Sequence, residues 1–198
     1  MPEQRTSERR VAALFVRRDS VYKDMPGVDA WDEDRDARRW PGGTPAVAHP
    51  PCRGWGVLRN VRFARHTAEE RALGPLAVNL IRQNGGILEH PAGSTLWKYE
   101  GLPETEESDC HGGWTLVVDQ YAFGHRAAKL TKLYIVGCAP KELPPIPLRL
   151  GVPTHVVTNG HGLRKGDPGF RSRVTDRERD ATPAAFGEWL VTIARKCA

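Results

Sequence analysis

The chain has no apolar run long enough to span a membrane, and no apolar signal core follows its charged opening, Met1 to Arg10. Both absences predict a cytoplasmic protein with no membrane partner. It also has no Cys-x-x-Cys pair. Cys52, Cys110, Cys138 and Cys197 are scattered, which argues against a zinc site built from thiolates and predicts free thiols in a reducing compartment. No metal is expected, and no internal repeat is found. What is present suits a globular protein: 198 residues, 39% apolar, with six Trp, enough for one domain with a core. The net charge of +5 permits a polyanionic partner without demanding one. Basic residues concentrate in Arg53–Arg65, Arg126–Lys132 and Arg164–Arg179, and acids in Asp29–Asp36 and Glu104–Asp109.

Residues 1–10 read as a flexible lead-in to a single domain over 11–198. Short apolar runs at Val11–Val16, Val28–Trp31 and Pro45–Ala48 predict strands. Between them, Arg17–Pro26 reads as a polar loop or short helix and Arg35–Trp40 as a brief helix. The clearest helix is Thr67–Asn84: Thr67 and Glu70 have capping-box spacing, Leu73, Leu76, Ala77, Leu80 and Ile81 share a face, and Gly85-Gly86 ends it. A strand over Gly86–Glu89, a long loop over 93–113, and strands over Trp114–Gln120 and Leu133–Gly137 follow. Residues 138–170 read as a small Pro/Gly-rich basic insertion. Thr182–Lys196 reads as a helix capped by Thr182 with Pro183 at its first position. Strands alternating with helices predict an α/β fold with largely parallel core strands.

One stretch organises the chain: Ala48-His49-Pro50-Pro51-Cys52-Arg53-Gly54-Trp55-Gly56. Two prolines stiffen the bend that presents Cys52 at a strand end. A thiol held this way suits a nucleophile; the alternative is a Pro-rich turn around a buried cysteine. Glu89 and the acids Asp32–Asp34 also fall at predicted strand ends, where α/β sheets place their sites. His49 and His90 have two readings: they flank the thiol, where an imidazolium would lower its pKa, or one of them is only a hydrogen-bonding loop histidine. Trp97, Trp114 and Trp189 read as core, whereas Trp55 sits in the cysteine loop within reach of a stacking role.

Pro50-Pro51-Cys52-Arg53-Gly54-Trp55-Gly56 resembles the Pro-Pro-Cys nucleophile loop of DNA cytosine-5 methyltransferases. Leu88-Glu89-His90 resembles that family's Glu-Asn-Val motif. The segment from Gly124 to Gly137 resembles its Gln-x-Arg-x-Arg region and the strand after it. Leu14-Phe15 is similar to the start of its cofactor motif, Asp32-x-Asp34 to its ribose-binding acids, and Arg179-x-x-Thr182-Pro183 to a late motif. The six occur in the family's order. The resemblance implies a trimmed, Rossmann-like methyltransferase-type sheet, S-adenosylmethionine as cofactor and DNA as partner. It implies Cys52 as nucleophile, Glu89 as the acid that protonates the ring, and Arg126 as a third catalytic residue. Phe15, Asp32, Asp34 and Pro50 would touch the cofactor. Arg53, Lys129, Lys132, Arg164 and Lys165 would bind DNA.

The implied chemistry is coherent. A thiolate adding at cytosine C6 makes C5 nucleophilic, a carboxyl group on the N3 edge stabilises the protonated ring, and base flipping gives access. The chain also departs from the family: Val16-Arg17-Arg18-Asp19-Ser20 follows Leu14-Phe15 with no glycine, and His49 and His90 replace Gly and Asn. The resemblance covers no sizeable target-recognition domain. Two alternatives therefore stand beside methyl transfer: pyrimidine-C5 modification with another donor, and a non-catalytic DNA-binding descendant of such a core.

Overall fold

The computed structural model describes residues 9–56, 66–158 and 163–197. Most of the expected lead-in, residues 57–65 of the first basic run, and residues 159–162 of the Gly-rich loop lie outside them. The described chain forms β1 (Val11–Leu14), β2 (Val28–Trp31), β3 (Ala46–Ala48), α1 (Ala68–Asn84), β4 (Gly86–Pro91), α2 (Leu96–Glu100), β5 (Trp114–Asp119), β6 (Leu130–Val136), α3 (Asp176–Asp180) and α4 (Ala184–Ala194).

The six strands make one mixed sheet in the order β2-β1-β3-β4-β6-β5. Pairing is parallel from β2 through β1 and β3 to β4, and antiparallel where β6 meets β4 and β5. Five strands thus run one way and β6 alone runs back. This is an α/β protein with a mostly parallel sheet.

Strand alternation divides the core between the two faces. Val11, Ala13, Val47, Ile87, Leu133 and Ile135 join Phe186, Leu190 and Ile193 of α4 on one face. Ala12, Leu14, Ala46, Ala48 and Leu88 join Ala77, Val78 and Ile81 of α1 on the other, with Leu96 and Trp97 of α2. Covered on both sides, β1 reads as a continuous apolar run rather than an alternating one. At Gly86 (φ +120°) a Cβ would lie 2.0 Å from the Ala46 carbonyl oxygen, so only glycine lets β4 close on β3.

Several boundaries differ from the sequence reading. Thr182 does not cap α4: Pro183 holds the cap position and makes no side-chain bond. The 93–113 loop contains α2, and α3 was not anticipated. β6 starts at Leu130, so it absorbs Lys132 from the basic segment. Between Pro140–Glu142, a 3-10 turn, and α3 the described residues hold no further helix or strand beyond isolated bridges at His155 and Val156. Among the described residues no helix is long and apolar enough to cross a membrane.

Candidate functional site

β3 and β4 are parallel neighbours, with Ala48 opposite Leu88. Beyond that pair β3 ends but β4 runs on to Pro91, so Glu89 lies inside the strand and not at its end as expected, and the chain leaving β3 brings His49 and Cys52 alongside it. The cysteine loop is held from three directions. The amides of Trp55 and Gly56 both donate to the Cys52 carbonyl, at 3.0 and 2.9 Å. The Trp55 carbonyl accepts from the Thr95 amide at 2.9 Å and from its hydroxyl at 3.0 Å. The Trp55 indole Nε1 donates to the Arg71 carbonyl at 3.1 Å.

That last bond has a cause in the sequence of α1. Pro75 lies inside the helix and has no N–H for the carbonyl four residues back, which is that of Arg71. Trp55 supplies the missing donor. Gly74 makes room for it, since a Cβ there would sit 2.7 Å from Trp55 Nε1. Trp55 is 1% exposed, so it is a core anchor of the loop and cannot stack on a base as its position in the sequence suggested.

Cys52 itself is exposed. The protein atoms crowding its thiol, then the Glu89 and Asp180 carboxylates, push its pKa up, against the opposing pull of Lys129. The thiol is therefore protonated at rest, and the expectation that a flanking imidazolium lowers it is not met. His49 is turned elsewhere. Its Nδ1 lies 2.9 Å from Glu89 Oε2 and its Nε2 lies 2.9 Å from the Tyr22 hydroxyl. His90 is 1% exposed; burial outweighs the Glu89 charge and the Pro50 and Pro51 carbonyls and takes its pKa down to about 4, so the ring is neutral.

Glu89 is the most constrained group of the site. Burial alone would raise its pKa, but the hydrogen bond from His49 and the positive charge of Lys129 hold it below the usual carboxylate range. Its Oε1 accepts from Gln120 Nε2 at 3.2 Å, and the same amide reaches Thr131 Oγ1 at 2.9 Å. Lys129 Nζ donates to the Ala181 carbonyl at 3.3 Å, which ties the late segment 179–181 to the Cys52 rim.

The other expected residues divide. Arg126 is exposed and forms a two-bond ion pair with Glu178, with His155 at 3.2 Å; Lys129 is the cation whose charge acts on both Cys52 and Glu89. Lys132 is largely covered, bonded to Glu104 at 2.6 Å and set 5.6 Å from the Trp97 ring centre. Arg53 pairs with Glu70 at 3.2 Å. Arg164 and Lys165 are exposed, beside a turn in which Asp167 accepts from the Arg164 amide.

A cleft of about 980 Å³ opens beyond the ends of β1 and β2 and reaches the cysteine loop; Phe15, Asp32, Pro51 and Arg53 are among its walls. Phe15 adopts a left-handed backbone (φ 58°) where β1 ends. Asp32 is 6% exposed and already engaged: Lys23 pairs with it at 2.5 Å, and it accepts from the amides of Asp34 and Arg35. Asp34 pairs with Arg18 on the surface, and Pro50 is buried behind Pro51. Arg17 is bound by Asp19, which also takes Arg177. The cleft walls carry six carboxylates (Asp19, Asp32, Glu33, Asp36, Glu69, Glu70) against four guanidiniums (Arg17, Arg18, Arg38, Arg53). Among the described residues no group of His, Cys, Asp and Glu side chains is placed to hold a metal ion.

Sequence reasoning missed Tyr22, Gln120, Thr131 and Asp180, and although a hydrogen-bonding role was one reading of His49, it did not name Glu89 as the partner. Only the β3–β4 adjacency could have revealed that partner. No known protein family matches the chain, and no curated protein is similar to it.

Proposed function

We propose that the protein modifies cytosine at C5 in DNA through covalent addition of Cys52, with S-adenosylmethionine as methyl donor. One observation carries the reading. Cys52, four residues past the end of β3, and Glu89, inside the adjacent parallel strand β4, are brought together from thirty-seven positions apart in the chain, with Lys129 acting on both. A thiol, a carboxylate and an ammonium gathered on one rim are the groups that addition to a protonatable pyrimidine requires. The mostly parallel sheet suits the Rossmann-like, methyltransferase-type core that the motif order implies.

In this reading the base enters beside the cysteine loop. Sγ bonds to C6, the C5=C6 electron pair moves toward C4, and N3 takes a proton as its double bond to C4 is lost. Glu89, ionised at rest, faces the N3–H and the exocyclic amine as an acceptor on both. The Sγ proton passes to solvent, and the Lys129 ammonium stabilises the thiolate that remains. The donor would lie in the cleft beyond β1 and β2. Its excess of carboxylates over guanidiniums suits a cationic sulfonium better than a phosphate, with Phe15 and Asp32 at its wall. S-adenosylmethionine, when bound, would supply the methyl group to C5; C5 then gives up its hydrogen as a proton to solvent, and the C6–Sγ bond breaks to restore C5=C6 and free Cys52. Arg17 and Arg18 are each held by acids, so they do not stand as free charges across that cleft.

Incubation with cytosine-containing DNA and labelled S-adenosylmethionine should place label on the base, and none after Cys52→Ser. No incorporation would sink methyl transfer. The missing glycine loop favours one second reading, the same addition with a different donor. Covalent capture on 5-fluorocytosine DNA, lost in Cys52→Ser, would support the addition whatever the donor.

A further inference from the structure

His49 stands where the resembling family carries glycine, and its side chain is neither exposed nor idle. It is 12% exposed beside a Glu89 side chain that is 14% exposed. Both ring nitrogens are engaged at 2.9 Å, one by Glu89 Oε2 and the other by the hydroxyl of Tyr22, a fully buried residue. The direction of each bond follows from its partner. An ionised carboxylate only accepts, so Nδ1 carries the proton. Burial and the Glu89 charge keep the Tyr22 phenol protonated, so it can donate to Nε2. The result is a one-way chain, Tyr22 O–H to His49 Nε2 and His49 Nδ1–H to Glu89 Oε2. It leaves Oε1, with only the 3.2 Å contact from Gln120, as the less engaged oxygen.

We propose that His49, oriented by Tyr22, is a positioning residue that fixes Glu89 for its contact with the flipped base. The proposal rests on the cytosine reading above. By committing Oε2 to His49, the chain leaves Oε1 to meet the N3–H and amine edge. It also keeps Glu89 an acceptor when addition begins, so the proton that N3 gains comes from solvent and Glu89 stabilises it there. The other titratable groups facing the pair are His90 on β4, Lys129 and the Cys52 thiol, all interacting with the Glu89 charge; none takes Oε2. A glycine at 49 offers no donor, so this device belongs to this chain rather than to the resemblance.

The test uses the full chain with DNA and no donor. Reversible addition at C6 makes C5 exchange its hydrogen with deuterated solvent, so the readout is deuterium at cytosine C5. His49→Ala should slow this exchange by about a hundred-fold, the order for a stabilising group misplaced by an ångström. His49→Gln, which keeps an N–H for Glu89 and an oxygen for Tyr22, should restore most of it. A carbon-13 titration of Glu89 provides the second readout. In His49→Ala the buried carboxyl loses its donor and should titrate higher than in the wild type, with a matching new limb in the pH profile of exchange. Should His49→Ala not fold, His49→Leu fills the space without a donor. Unchanged Glu89 titration, or unchanged exchange and pH profile in the Ala or Leu variant, overturns the proposal. A wild type that shows no exchange overturns the cytosine reading alone, because the Glu89 titration decides the hold of His49 without any activity.

Discussion

Cys52 combines an exposed residue with a crowded thiol, and the carboxylates of Glu89 and Asp180 outweigh Lys129 in setting its proton affinity. Such a thiol reacts slowly until something neutralises its surroundings. Iodoacetamide at pH 7.5 should therefore label the exposed Cys110 before Cys52; mass spectrometry showing Cys52 first would contradict the assignment. The buried pair on β4 makes a second prediction. His90 has a folded pKa near 4 against an ordinary 6.5, so the folded state favours its neutral form. Stability from this group is complete above pH 6.5 and is lost as pH falls toward 4. At about 1.4 kcal/mol per unit the loss amounts to roughly 3 kcal/mol at most. Glu89, depressed to about 2 from 4.5, adds a further loss between those values. Urea midpoints should fall steadily from pH 6.5 downward, and His90→Gln should flatten the first part of that slope.

The cysteine loop and α1 form one mechanical unit, because Pro75 frees the carbonyl that Trp55 occupies. Trp55→Phe leaves that carbonyl without its donor and should cost roughly 1–3 kcal/mol by denaturant titration. Pro75→Ala restores a helical N–H for the same carbonyl, so the cost of Trp55→Phe should shrink in that background. Equal costs in both backgrounds would mean that the bond contributes nothing. α1 was legible in the sequence because its signals are local. Thr67 Oγ1 accepts from the Glu70 amide at 3.0 Å, although the Glu70 side chain pairs with Arg53 instead of completing the capping box. The short helices α2 and α3, five residues each, left no periodic signal to read. The cap of α4 was misread because Thr182 and Pro183 both carry N-terminal signals and the chain uses the second position.

At the scale of the molecule, the alternation of apolar runs and helical segments gave the α/β class and the parallel direction of most strands. The run back of β6 between β4 and β5 was not legible, since sequence spacing alone does not fix pairing order. The same limit explains the site. That Cys52 follows a strand could be read from its turn residues, but neither the extension of β4 past Glu89 to Pro91 nor the adjacency of β3 and β4 could. The partners of Glu89 follow from that adjacency and from the crossing of β6: His49 arrives from β3, Gln120 from the end of β5, and Lys129 from the segment entering β6. Gly86 is the hinge of the arrangement. Gly86→Ala should prevent β3 and β4 from closing and abolish folding or any Cys52-dependent reaction together, a loss visible by circular dichroism.

The central claim is that Cys52 adds to cytosine C6 with Glu89 on the opposite ring edge. The most direct measurement is deuterium incorporation at cytosine C5 in DNA incubated with the full chain in deuterated water, which needs no methyl donor. Attack of Cys52 on C6 should give incorporation by the wild type, none with Cys52→Ala, and a strong loss with Glu89→Gln. Absence of exchange in the wild type on every cytosine-containing DNA tried, or exchange that survives Cys52→Ala, would contradict it.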